Sequence, residues 1–158
     1  MTTSPAPAPG GLSTPHEIEA LADQLTACAD ALHASIVKSV KGYKGKPVPA
    51  ADQDAARKLF DDELLLRQRA NGMYADAATL VVKSLGKSQQ HVLELTAAAA
   101  EKIRTITSIA QTAGLVASLL ALSGAVGTGH PAAIVTALEN LRKHAKAVAA
   151  LNPPPKTV

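Results

Sequence analysis

Aromatic residues are nearly missing from this chain of 158 residues. Phe60, Tyr43 and Tyr74 are the whole set, and there is no tryptophan. Strands draw heavily on aromatic side chains, so a β-sheet core has little to build with. The core must come from Leu, Ile, Val and Ala, and Ala is the best helix former. The expected class is all-α. Cysteine is almost as scarce. Cys28 stands alone, so no intramolecular disulfide is possible and nothing points to an oxidising compartment. The opening "MTTSPAPAPGGLSTP" has neither a basic start nor an apolar run, so no secretory signal is expected. Cytoplasmic placement is the default expectation, and export by a route that reads no such signal stays compatible with it.

Recognisable chemistry is also missing. "GKS" occurs at Gly86, Lys87 and Ser88, but Val81 stands where a phosphate loop needs its earlier glycine, and no strand precedes it. "GAVGTG" opens on helical residues and reads as a helix breaker. A dimetal bundle needs paired Glu-x-x-His motifs. Only Asp30 to His33 approaches one, while His91 to Glu94 reverses the order. Asp61, Asp62 and Glu63 are consecutive, so a helix points them in different directions. No catalytic residue, metal or cofactor is expected.

Charge is missing from one long stretch. "ITSIAQTAGLVASLLALSGAV", Ile106 to Val126, carries none, and the uncharged run continues to Leu138. About 20 apolar residues suffice to cross a bilayer. Only eight of these 21 are Leu, Ile or Val, however, and Gln111, three Ser, two Thr and two Gly oppose insertion. No transmembrane span is expected. Up to Ala113 the stretch has a polar side. From Gly114 onward it is apolar nearly all round, and such a helix must be covered. Leu115, Leu119, Leu122 and Val126 are therefore the candidate interaction residues.

The charges present are uneven. Residues 1–80 hold 8 basic and 10 acidic groups, whereas residues 81–158 hold 8 and 3. "KSVKGYKGK" gathers Lys38, Lys41, Lys44 and Lys46 around Tyr43. This is a candidate contact for an anionic partner, with nucleic acid disfavoured because one aromatic is too few for a stacking platform.

Residues 1–13 cannot bury apolar area and read as a disordered tail, serving as a tether or a partner-binding segment. Thr14, Pro15 and Glu17 form a helix start with a capping box. Ile18, Leu21, Leu25, Cys28, Leu32 and Ile36 then repeat every three or four residues, which marks one buried face. Gly42 ends that helix. The expected helices are about 15–41, 51–85, 89–123 and 131–151, within one domain over 14–152 and before a mobile tail at 153–158. Asn71-Gly72 is the weak point of the second, as a kink or a split. Short connections favour a four-helix, up-down-up-down antiparallel bundle.

The expected role is a non-enzymatic helical-bundle protein, of bacterial type by its Ala- and Pro-rich composition. It acts through a protein partner or self-association. The first alternative is binding to a lipid or other hydrophobic surface, and the second is weak nucleic-acid binding through the Lys38–Lys46 stretch. In size, alanine content and expected helicity the chain is similar to the phasins, which coat polyester storage granules. The likeness is compositional and carries no residue over.

Overall fold

Five helices form from this pattern in the computed structural model, which describes residues 10–106 and 109–151. They are α1 (Pro15–Lys41), α2 (Ala50–Asp76), α3 (Gln89–Thr105), α4 (Ile109–Thr128) and α5 (Pro131–Leu151). The protein is all-helical, with no strand among the described residues. The start of α1 follows its sequence signal: Thr14 Oγ1 accepts from the Glu17 amide at 3.2 Å. The return half of the capping box closes one residue early. Glu17 Oε1 accepts from the amide and hydroxyl of Ser13, at 3.1 and 2.8 Å.

The expected third helix, 89–123, is two helices. Thr105, Ile106, Thr107, Ser108 and Ile109 follow one another, and β-branched and Ser residues are weak in helices. Ile106 is extended (φ −73°, ψ 136°) and buried. The four-helix count therefore becomes five. The far end also lies beyond the expected residue 123, because α4 continues through Gly124 and Gly127 and the left-handed Gly129 (φ 71°) marks its stop. Asn71-Gly72 does not interrupt α2 either, but that helix ends at Asp76 rather than near residue 85.

A tertiary competitor explains the early end of α2. The Val82 amide donates to the Leu12 carbonyl at 2.7 Å, outside any helix. Leu12 is fully buried. Its amide donates to Gln89 Oε1 at 2.9 Å, and the Gly11 amide donates to the Lys87 carbonyl at 2.6 Å. Gly11 is needed at this crossing, since a Cβ there would lie 2.9 Å from the Gln89 nitrogen. The expected disordered tail is thus wrong for residues 10–13, which clasp the 77–88 connection. Its first nine residues and the expected mobile tail, 153–158, lie outside the described residues.

Side-chain pairs fix the helix directions. Asp23 meets Tyr74, Asp30 meets Arg67 and His33 meets Glu63, so α1 and α2 are antiparallel. Gln89 bonds the Glu17 carbonyl and Cys28 the Thr96 carbonyl, so α3 runs with α1. Arg69 reaches Leu120 and Ser123. Asp76 shares a cleft with Gly127, so α4 runs with α2. The two-residue link to α5 returns it beside α4 and α3. One continuous apolar core joins all five helices and both Val82 and Leu85 of the connection.

Candidate functional site

The uncharged helix α4 supplies core rather than surface. Leu115, Leu119, Leu122 and Val126 are each fully buried within the chain. In the folded monomer these candidate interaction residues are covered. They repeat at three- and four-residue steps, which lays them along one inner face. The outer face of α4 holds Ala110, Ala117, Ala121 and Gly127. Among the described residues, α4 is one helix long and apolar enough to cross a membrane, a property that buried core helices share.

The basic stretch lies where the sequence reading set it, on the end of α1 and the following loop. Lys38, Lys41, Lys44 and Lys46 are exposed. The Tyr43 ring is tethered rather than free to swing, because its hydroxyl donates to Asp52 Oδ2. That bond, helped by some burial, raises the phenol above its ordinary pKa.

Beside this stretch is a groove the sequence reading missed. Val40, Val48, Gln53, Ala56, Arg57 and Phe60 line a space of about 310 Å3 between the two ends of the loop. Val40 and Phe60 are both exposed, as is Leu64 one turn beyond Phe60. Phe60 packs edge-on against His33 with ring centroids 5.8 Å apart. The signal was legible: Phe60 and Leu64 share a helix face off the inner stripe of Leu59, Leu66 and Met73.

A second recess separates α2 from α4. Arg69, Gly72, Met73, Asp76, Leu80, Ser123, Gly124 and Gly127 line a cleft of about 330 Å3. Arg69 crosses it, with Nη1 donating to the Leu120 carbonyl and, at 3.0 Å, to Ser123 Oγ. Gly124 makes that crossing possible, since a Cβ there would stand 3.0 Å from Nη1.

Other polar contacts read as structure. Ser118 Oγ bonds His144 Nδ1, the beginnings of a nucleophile and base. Yet Ser118 is buried inside α4, where neighbouring amides serve helix hydrogen bonds rather than an oxyanion. No carboxylate orients His144 among the described residues. The Cys28 thiol, pushed up to about 12 by burial, is a poor nucleophile. Asp61, Asp62 and Glu63 diverge as expected: Asp62 pairs with Lys58, while Glu63 turns to His33 and Arg67. Among the described residues no three His, Cys, Asp or Glu side chains converge as a metal set.

Comparison of the chain with family models, curated proteins and solved structures finds no match. The functional reading therefore rests on residues and geometry.

Proposed function

We propose that this protein is a non-enzymatic helical interaction module that holds an apolar segment of a partner protein in the groove between Val40 and Phe60. One observation carries the reading. Among the described residues, the large apolar side chains left exposed, Val40, Phe60, Leu64 and Tyr74, all belong to the α1–α2 pair, and two of them line a single groove. Concave apolar surface of this kind suits an amphipathic helix with anchors one turn apart. Arg57 lines the groove and Lys41, Lys44 and Lys46 stand beside it, so acidic residues on the partner complement this rim. Asp54 and Asp61 lie further round α2 and leave the complement one-sided.

The test is selection from a library of helical peptides, followed by titration of the enriched sequences. The expected winners carry apolar residues at i and i+4 with Asp or Glu beside them. Phe60→Ser combined with Leu64→Ser should weaken them by at least about tenfold. The circular dichroism should not change, because both side chains are exposed. Binding that ignores the double substitution overturns the reading. Flotation with anionic liposomes that is lost in the same variant transfers the groove to the lipid-surface alternative.

A further inference from the structure

The α2–α4 cleft is polarised along its length. At one end stands the Arg69 guanidinium, fixed through Nη1, with no carboxylate in ion-pair range among the described residues. At the other end stands Asp76, two helical turns along the same face. Because α2 and α4 run parallel, both helices finish at that end. Their last turns carry no basic residue. The negative ends of two helix dipoles therefore add to the Asp76 charge. Between the poles the lining is Met73 and the backbone of Gly72, and Leu80 and Gly127 line the cleft at the Asp76 end.

Those two glycines are not demanded by packing. A Cβ at Gly72 or Gly127 would meet nothing within 4 Å, and neither residue has a positive φ. A helix interior disfavours glycine against alanine. Here the missing side chains leave the cleft open. At about 330 Å3 the space falls at the small end of ligand sites.

We infer that this cleft binds a small zwitterion of the ω-amino carboxylate class. Its carboxylate meets Arg69, its ammonium group lies beside Asp76, and its methylene chain rests on Met73, Leu80 and the glycine backbone. A monoanion would face Asp76 unfavourably, and a simple amine would bring no counter-charge to the guanidinium. Arg69 and Asp76 stand about 10 Å apart along the helix axis, which favours a molecule with separated charges over an α-amino acid. This site is separate from the Val40–Phe60 groove and does not depend on it.

The test is calorimetric and NMR titration of the whole protein with 6-aminohexanoate, against hexanoate and hexylamine as single-charge probes. Saturable binding of 6-aminohexanoate is expected, with amide shifts at Gly72, Gly124 and Gly127. The two single-charge probes should bind at least about tenfold more weakly. Asp76→Asn should lower the affinity by a similar factor. Gly127→Leu points a side chain into open space and should abolish binding while leaving the melting temperature equal or higher. Absence of saturable binding at millimolar concentration overturns the proposal. Equal binding of hexanoate or hexylamine, or full retention in Gly127→Leu, overturns it as well.

Discussion

The seam between α1 and α2 is written in charge, whereas the seam between α4 and α5 has almost none. Across the first, Arg67 meets Asp30 at 2.9 Å and His33 meets Glu63 at 2.8 Å, while Arg67 also holds Glu63 within α2 at 2.9 Å. Two phenol–carboxylate bonds, Tyr74 to Asp23 and Tyr43 to Asp52, add to the connection. Helix α4 has no charged residue, so no ion pair can cross the second seam. Its large buried side chains are apolar, Leu115, Leu119, Leu122 and Val126 on α4 and Ile134, Leu138 and Leu141 on α5, with the Ser118–His144 bond beside them. Charged pairs are directional, so they fix which residues face one another while the outer surface stays solvated. Apolar packing is not directional, and its register comes from shape. The difference bears on function. The charge-laced half can leave Phe60 and Leu64 outside, while the uncharged half must keep its leucines inside.

The largest break in this comparison comes from Leu119→Asp. Leu119 is fully buried on a helix with no cation to receive the new carboxylate. An unpaired buried charge costs on the order of 5 kcal/mol, enough to unfold a domain of ordinary stability. Loss of the helical circular dichroism at room temperature is the expected result. A folded variant that had merely lost surface binding would instead mean that α4 opens outward in solution.

The next contrast is in alkali. Cys28, Tyr43 and Tyr74, whose ionisation is shifted upward, all belong to α1, α2 or their loop. Burial lifts the Cys28 thiol from its ordinary value of 9.0 to about 12, against a smaller opposing pull from Arg104. The folded state thus holds this proton more tightly than the unfolded chain. The resulting stability is fully present below pH 9 and is lost as pH rises toward 12. The loss is on the order of 4 kcal/mol by the end of that window. The tyrosines push in the same direction, Tyr43 through Asp52 and Tyr74 through Asp23. Urea melts from pH 8 to pH 11 should show falling stability, with a shallower fall in Cys28→Ala. An identical slope in that variant would remove the thiol from the account.

The two halves also differ in how far their sequences could be read. The α1 stripe from Ile18 to Ile36, its start at Thr14 and the start of α5 at Pro131 followed from periodicity and capping residues, which are local signals. The end of α2 did not, because it is set by Leu12, some 70 positions away in the chain, taking the Val82 amide. The same long-range bond is why "PGGLSTP" resembled a loose tail. The break after Ile106 was partly legible in its run of Thr, Ile and Ser, but the apolar periodicity on either side masked it. The site residues fared worse for a related reason. Periodicity identified Leu115 to Val126 as needing cover, and only the packing of α2 and α5 shows that the chain covers them itself. The cleft at Arg69 depends on which helix α4 lies beside, a fact no local pattern carries.

A smaller effect would sharpen the contrast most finely, because it compares one polar residue at each seam. Glu63 receives hydrogen bonds from Arg67 and His33, and its side chain is only 12% exposed. Glu63→Gln keeps the shape, removes the charge, and should cost about 1–2 kcal/mol, since hydrogen bonds to charged groups exceed neutral ones. Ser118→Ala removes the bond to His144 across the other seam. It should cost less than about 1 kcal/mol, because alanine is the better helix residue and the exposed imidazole can turn to water. Urea denaturation of the two variants under one set of conditions gives the comparison. If Ser118→Ala proves the more damaging, the α4–α5 seam depends on its hydroxyl–imidazole contact rather than on its leucines, and the division drawn between the two halves fails.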